Sequence, residues 1–143
     1  MTDQLTEKAI SDFVTEWYKA LDRHDDLSSV KEMIVDKGLE MRFPEVTARG
    51  HAGFAEWYEA VTNRFFDEVH EVTKVEPVIV GAEATVTVLV NWQARIWNPP
   101  AANSEWLGFD ADQTWVVVAG EKGPKILTYI VNGLDPMPGS GSL

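Results

Sequence analysis

Four acidic side chains are the candidates for acid–base chemistry in this 143-residue chain: Glu40, Glu45, Asp110 and Asp112. A carboxylate buried in an apolar pocket has a raised pKa, which suits it to proton transfer near neutral pH. Glu40 alternates with apolar neighbours, which favours the solvent face of a strand. Glu45 follows a proline and could overhang a pocket, and the two aspartates share one side of a strand. Each is interpreted first as a solvated charge and second as a catalyst.

The three histidines, His24, His51 and His70, form no metal-binding pattern. None stands in an i, i+4 pair with another ligand type, the spacing that places two ligands on one helix face. His24 belongs to a polar turn. His51 follows Gly50 at a predicted helix start, where it is either a surface residue or a hydrogen-bond donor at a pocket edge. The sequence therefore predicts neither a metal site nor a cofactor.

Aromatic side chains are spread over several predicted elements. The chain has six Trp, a residue that often lines pockets because its apolar ring carries an N–H that needs a partner. We expect most of them to fill the core and two or three to face a cavity. The aromatic set expected around one cavity is Trp17, Phe43, Trp57, Tyr58, Trp115 and Tyr129.

The strand predicted over 84–97 has two chemically different faces. One carries Asn91, Gln93 and Arg95, and the other begins with a run of valines. The valine face is expected to pack on helices, which leaves the polar face exposed or paired across a dimer. A one-residue bulge would exchange the faces and turn Asn91 and Gln93 toward a ligand. The same alternatives apply to Gln113, Trp115 and Tyr129 on the neighbouring strands.

Composition excludes several classes of function. The chain has 23 Asp and Glu against 12 Lys and Arg, a net charge of -11 that repels phosphate backbones and anionic lipids. It has no cysteine, hence no disulfide framework and no thiolate chemistry. No apolar run approaches the roughly 20 residues of a membrane span, and the N-terminus has no signal-peptide pattern. We expect a cytoplasmic protein that binds neither nucleic acid nor membranes.

Hydrophobic periodicity predicts helices and one short strand in the first half of the chain. The first helix places its apolar residues at three- and four-residue spacing between Ile10 and Leu21. A capping box, Ser29 with Glu32, opens a short second helix. Alternation over 39–43 predicts a strand, and Gly50 precedes a third helix with an aromatic face.

The second half of the chain is rich in β-branched residues. Strands are predicted at 69–80, 84–97, 105–119 and 125–134, with a bulge near Gly108. Short connections make these strands antiparallel, and helices ahead of such a meander imply an α+β fold. Strands this long must twist, so the sheet curls around the helices into a half-open cone with an apolar pocket. Residues 1–135 form one domain, and 136–143 form a loose tail.

This order of elements resembles the nuclear transport factor 2-like superfamily, and within it the SnoaL-like domains. Residues 13–21, Phe-Val-Thr-Glu-Trp-Tyr-Lys-Ala-Leu before an Asp-rich turn, are similar to the first helix of that family. Phe43-Pro44 and the aromatic helix after Gly50 resemble its first strand and third helix. Residues 125–130 resemble its last strand. The resemblance covers residues 5 to about 135.

The resemblance implies a cystatin-like α+β roll, in which a cone-shaped, curved, antiparallel or mixed sheet wraps around helices. It also implies an apolar cavity and a homodimer formed through the sheet. Enzymes of the family include ketosteroid isomerase, polyketide cyclases, limonene epoxide hydrolase and scytalone dehydratase, while other members only bind ligands or partners.

The chain departs from each catalytic pattern that the resemblance brings. Phe43 stands where the isomerases carry an Asp, and Trp17 where they carry an oxyanion-donating Tyr. The last strand has no carboxylate before Asp135, unlike the cyclases. The long strand has no acid beside Arg95, unlike the epoxide hydrolases. The first two departures place apolar side chains where those enzymes carry polar catalytic ones.

Three hypotheses follow for function. The leading one is a domain that binds a small, mostly apolar or aromatic ligand in an internal pocket. The second is an isomerase, lyase or hydrolase whose acid–base group is a pocket Asp, Glu or His. The third is a structural or partner-binding homodimer without catalysis. The ligand-contacting residues are predicted to be the six aromatics named above together with His51, Asn91, Gln93 and Gln113.

Overall fold

A computed structural model describes residues 5–143, and its first element is the helix α1, Glu7–Asp22. The Thr6 hydroxyl caps this helix by accepting a hydrogen bond from the Ala9 N–H at 3.0 Å. The predicted apolar stripe of α1 faces inward, and Trp17 in its middle is fully buried. α1 therefore supplies the centre of the core.

The second helix is shorter than the sequence indicates. α2 is Leu27–Lys31 and follows Asp26, so the predicted Ser29–Glu32 capping box is wrong. The apolar residues after the helix are buried in another way. Ile34 forms a parallel bridge with Ile126 of the last strand and is fully buried there. Tertiary pairing thus ends the helix earlier than local pattern alone would.

A short hairpin precedes the third helix. It consists of β1, Glu40–Arg42, and β2, Thr47–Arg49, and the Phe43 N–H donates to the Val46 carbonyl within it at 2.8 Å. The sequence predicts β1 but not β2, because three residues are too few to show an alternating pattern. The helix α3, Gly50–Arg64, begins at the predicted glycine.

Four long strands complete the fold: β3 Phe65–Val80, β4 Glu83–Ile96, β5 Glu105–Gly120 and β6 Gly123–Pro136. The six-stranded sheet has the order β2-β1-β6-β5-β4-β3. All neighbouring pairs are antiparallel except β1 with β6, so the sheet is mixed. β3 starts four residues earlier than predicted, directly after α3.

The strand phases decide which side chains face the helices. On β4 the valine face is buried, and Val86 and Val88 are fully inaccessible, while Asn91 and Gln93 lie on the outer face. The bulge predicted near Gly108 is wrong, since β4 and β5 pair there without a shift in register. The glycine instead makes room for neighbours, because a Cβ on Gly108 would lie 2.5 Å from the Trp106 indole and 2.8 Å from Met137.

The helices pack on the inner face of the sheet, where one large apolar cluster joins α1, α3 and the strands β4 to β6. The predicted α+β fold is confirmed. None of the helices within residues 5–143 is long and apolar enough to cross a membrane. Beyond β6, the Met137 N–H bonds the Gly108 carbonyl and the Gly141 N–H bonds the Trp106 carbonyl.

Candidate active site

A cavity of about 780 Å³ lies between α3, the β1–β2 hairpin and the inner face of the sheet. Its walls are mainly apolar, with contributions from Leu21, Val61, Val90, Ala111 and Val131. Such a volume lies within the range of roughly 300–1,000 Å³ that is usual for small-molecule sites. None of these five apolar residues belongs to the ligand-contacting set predicted from the sequence.

Aromatic rings form one wall of the cavity. Phe43, which follows β1, stacks on Trp57 of α3 with ring centroids 4.0 Å apart and planes 3° from parallel. Trp57 in turn contacts Phe54 one turn earlier, at 5.9 Å. A flat, rigid, apolar wall of this kind favours flat, apolar ligands.

A chain of buried hydrogen bonds forms the floor. The Tyr18 hydroxyl donates to Gln113 Oε1 at 2.6 Å, and the Trp115 indole N–H donates to the same oxygen at 2.9 Å. Because Tyr18 has only one proton to give, the Tyr129 hydroxyl is the donor in its 3.0 Å contact with Tyr18. Burial raises the pKa of Tyr18 well above its ordinary value and also raises the pKa of Tyr129. Both phenols are therefore neutral.

A β-bulge in β3 turns two titratable side chains into the cavity. Phe65 faces inward, and simple alternation would then bring Asp67 and Val69 inward. The register of β3 against β4 shifts between Phe66 and Val69, so Glu68 and His70 face inward instead. Asp67, at the bulge, has a positive φ of 50°.

Asp22 fixes the orientation of His70. The Nδ1 atom of His70 lies 2.5 Å from Asp22 Oδ1, and the backbone N–H of His70 donates to Asp22 Oδ2 at 2.9 Å. A carboxylate only accepts hydrogen bonds, so the proton of the neutral ring is on Nδ1. The ring also stacks on Tyr18, with centroids 4.6 Å apart. In the neutral ring these contacts leave the lone pair on Nε2, and the His70 side chain lines the cavity.

Glu68 contacts a second histidine, His24. Its Oε2 lies 2.5 Å from His24 Nε2, and its Oε1 accepts the Trp92 indole N–H at 3.1 Å. Trp92 also stacks on His70, with centroids 6.1 Å apart, so one indole contacts both titratable groups of β3. The cavity thus has two histidine–carboxylate pairs on one wall.

Tyr58 stands near the second pair. Its hydroxyl donates to the Asp25 carbonyl at 2.5 Å. Burial, followed by the negative charges of Asp25, Glu68 and Asp26, raises the pKa of Tyr58 to about 12. This phenol therefore remains protonated at any ordinary pH, and its proton is committed to the Asp25 carbonyl.

The predicted ligand-contacting residues fall into three groups. Phe43, Trp57, Tyr58, Gln113 and Tyr129 line the cavity. Trp17 and Trp115 are fully buried and stand behind the lining, each packed against the Tyr129 ring. Asn91, Gln93 and His51 do not line the cavity.

The residues outside the cavity have other partners. Gln93 donates to Asn91, which donates to Asp110, all on the outer face of the sheet because β4 keeps its phase there. His51 Nε2 is buried without a hydrogen-bond partner and lies 3.3 Å from an oxygen of exposed Asp36. Glu40 forms ion pairs with Arg42 and Arg49, and these hydrogen bonds lower the pKa of Glu40 below its usual range.

The exposed rim of the cavity is acidic. Glu45, Glu56 and Arg64 are exposed residues of the lining, and the Arg64 guanidinium lies over the Phe65 ring at 5.1 Å. Together with Glu68 inside, the lining carries more negative than positive charge. In residues 5–143, no group of three or more His, Cys, Asp or Glu is arranged to hold a metal ion.

Comparison with known proteins finds similarity in structure only. No family model and no curated protein sequence matches the chain. Many solved structures match, and three of them each have a TM-score of 0.73. A protein of Novosphingobium aromaticivorans, provisionally named a scytalone dehydratase, is 15% identical over 95% of this chain and 91% of its own. The hexachlorocyclohexane dehydrochlorinase LinA-type3 of Novosphingobium barchaimii is 16% identical over 95% and 92%.

The third structure is a nuclear transport factor 2-like superfamily protein of Salmonella enterica, 14% identical over 96% of both chains. Together the three confirm the predicted resemblance at the level of fold: the chain has the nuclear transport factor 2-like architecture. Identities this low establish the architecture, whereas activity has to be argued from the site itself.

Proposed function

We propose that this protein is an acid–base enzyme that removes a proton from a small, neutral, flat molecule bound in the cavity. The observation that carries the proposal is the Asp22–His70 pair in an otherwise mainly apolar wall. A general base needs a lone pair within reach of the substrate and a partner that holds its tautomer. Asp22 supplies the second requirement, and the lining position of His70 supplies the first.

The ligand in this proposal lies against the aromatic wall. Phe43 and Trp57 would stack on it, while Tyr58, Gln113 and Tyr129 would bound its edges. Trp17 and Trp115 would act only by holding these side chains in place. The acidic rim and the net charge of -11 disfavour anions, and the mainly apolar walls disfavour a buried charge of either sign, so the proposed substrate is neutral.

The reaction class that fits best is elimination next to a carbonyl or aromatic ring. His70 Nε2 takes a proton from carbon, the electrons of that C–H bond form a C=C double bond, and a leaving group departs from the next carbon. Two of the similar structures carry the names of elimination enzymes, a dehydratase and a dehydrochlorinase. That likeness is one of fold and supports the class, not the substrate.

The test is exchange of the α-protons of 1-tetralone in deuterium oxide, followed by proton NMR. This flat bicyclic ketone has an acidic C–H and no leaving group, so it reports the base step alone. The wild type is expected to accelerate exchange, and His70→Asn is expected to lose about 100-fold or more of that acceleration. His51→Asn is the matched control, because His51 lies outside the cavity. Equal rates for wild type and His70→Asn would refute the proposal.

A second candidate is ligand binding without catalysis, which the aromatic wall favours on its own. The same samples decide between the two. Saturable quenching of Trp fluorescence by 1-tetralone, with no exchange above background, would support a binding domain in which the Asp22–His70 pair is structural.

We also propose a homodimer through the outer face of the sheet. Val69, Val78 and Val80 of β3 are 60%, 67% and 76% exposed, and burial of such side chains stabilises an interface. Light scattering of the wild type should give twice the chain mass, and Val78→Asp should lower it. Val46→Asp, on the β1–β2 hairpin, is the control. A monomeric wild type would refute the dimer.

A further inference from the structure

The Glu68–His24 pair is not used by the base step, yet it belongs to the same cavity wall. Glu68 and His70 are two residues apart on β3 and both face inward, so their backbones are roughly 6.6 Å apart along the strand. A substrate lying over Trp92, which contacts both side chains, would meet both at once. The pair is therefore placed to act on the atom next to the one that His70 attacks.

Unusual backbone conformations occur at or next to both members of this pair. In residues 5–143 the only non-glycine residues with positive φ are His24, at 52°, and Asp67, directly before Glu68, at 50°. Such conformations are disfavoured for residues with a side chain and persist where the surrounding structure imposes them. Both occur at one contact, which links the turn after α1 to the bulge of β3.

The pair also connects the cavity with solvent. The Glu68 side chain is 8% exposed and lines the cavity, while the His24 side chain is 30% exposed. Two acceptors would repel each other at 2.5 Å, so a proton lies between His24 Nε2 and Glu68 Oε2. That proton can leave toward the cavity through Glu68 and be replaced from solvent through His24.

Other proton donors in the cavity are already committed. The Tyr58 proton is donated to the Asp25 carbonyl, and the Tyr129 and Tyr18 protons run along the chain that ends at Gln113. Among the buried lining groups in the described part of the chain, the Glu68–His24 pair is the one that can give up a proton and regain it from water.

We propose that Glu68 is a second catalytic residue of this site, the general acid that protonates a leaving hydroxyl, and that His24 resupplies its proton. The inference rests on the proposed function and adds the residue that lets a hydroxyl leave from the carbon next to the one that loses its proton. His70 takes the α-proton, the C=C bond forms, and the C–O bond breaks. The departing oxygen takes the proton held by Glu68 and His24 and leaves as water. His70 and His24 then exchange protons with solvent, which restores the starting state.

The alternative hypothesis is that the pair is purely structural and only links the turn after α1 to β3. Two substitutions separate the two hypotheses. Glu68→Gln keeps the size of the side chain and an oxygen for the Trp92 N–H but cannot transfer a proton. His24→Asn keeps an N–H that can donate to Glu68 but cannot relay a proton. If the pair is only structural, each variant should slow α-proton exchange and elimination to a similar extent.

The experiment uses two matched probes, 1-tetralone for proton removal and 3-hydroxy-1-tetralone for elimination, which yields fluorescent 1-naphthol. For Glu68→Gln we expect elimination to slow by about 100-fold or more beyond any change in α-proton exchange, so that the ratio of the two rates falls by that factor. For His24→Asn we expect slower elimination that added imidazole buffer restores. Elimination by Glu68→Gln at the wild-type rate, or equal losses in both assays, would overturn the inference.

The two proposals fail in different ways. If the wild type catalyses neither reaction, the base step is absent, and the acid role of Glu68, which depends on it, is refuted as well. If the wild type exchanges 1-tetralone and Glu68→Gln eliminates normally, the base role of His70 stands and only the inference about Glu68 is refuted.

Discussion

Replacing Asp22 with Asn should reverse the tautomer of His70. Asp22 now accepts two hydrogen bonds at once, from the His70 ring at 2.5 Å and from its backbone N–H at 2.9 Å. An amide has one acceptor oxygen and one donor nitrogen. If the oxygen keeps the backbone N–H, the amide N–H₂ faces the ring Nδ1, which must then become the acceptor. The ring proton therefore moves to Nε2.

The size of this effect follows from the hydrogen bonds involved. A hydrogen bond to a charged partner contributes about 1.5–3 kcal/mol, and its loss removes the preference for a proton on Nδ1. At about 1.4 kcal/mol per factor of ten, the tautomer with a free Nε2 becomes rarer by about ten- to a hundredfold. Asp22 is 22% exposed in its side chain, which places the expected change nearer the lower value. Proton exchange of 1-tetralone should slow by a similar factor.

Long-range nitrogen–proton NMR distinguishes the two tautomers without any substrate. At alkaline pH the wild type should show His70 protonated on Nδ1, and Asp22→Asn should show it protonated on Nε2. Asp12→Asn is the control, since Asp12 lies on the same helix but pairs with exposed Lys8. If Asp22→Asn keeps the Nδ1 proton, Asp22 does not set the tautomer, and its role in the site as described here is wrong.

Three further predictions concern the cavity and its floor. Tyr18→Phe removes the hydroxyl that donates to Gln113 and accepts from Tyr129, and both of these partners are buried. The substitution should lower the free energy of unfolding, measured by urea titration, by about 1–3 kcal/mol. An unchanged urea midpoint would contradict the hydrogen-bond chain. Because all three tyrosines have raised pKa values, with Tyr58 at about 12, tyrosinate absorbance should not rise near pH 10 in the folded protein. The stabilisation of the folded state that comes from keeping Tyr58 neutral is complete below about pH 10 and is lost as pH rises through about 12. A rise in the tyrosinate absorbance of the folded protein near pH 10 would refute this prediction. Trp57→Ala removes the ring stacked at 4.0 Å and should weaken 1-tetralone binding by about tenfold, whereas unchanged affinity would show that the ligand does not use this wall.

Much of the fold follows from periodicity. The inward stripe of α1 and the valine face of β4 are visible in the sequence because each repeats over several turns or strand residues. β2 is too short to repeat anything. The end of α2 depends on the distant Ile34–Ile126 bridge. Local pattern fails where a few residues are ordered by remote contacts.

The candidate catalytic residues are harder to find from sequence. Val69 is apolar and stands between Glu68 and His70, so alternation places the valine inside and the two titratable residues outside. The structure has the reverse arrangement, with Val69 60% exposed, because one extra residue at the bulge shifts the phase. One usable signal does exist: Glu68, His70 and Val72 are in phase, and Val72 packs against the core.

The two halves of the His70 pair also lie far apart in the chain. Asp22 ends α1, and His70 comes 48 positions later, so no local motif joins them. The aromatic residues of the lining are easier to predict from sequence. A large ring near a helix or strand end tends to reach a cavity whether or not it contacts a ligand. Five of the predicted contact residues line the cavity.

The most direct test of the central claim is an intermolecular nuclear Overhauser measurement on the protein with bound 1-tetralone. The Hε1 proton of His70 is attached to the carbon beside Nε2, the nitrogen proposed to act as base. We expect a contact between this proton and the protons at C2 of 1-tetralone, and no contact with the ring of His51. Binding of 1-tetralone with no such contact at His70 would contradict it.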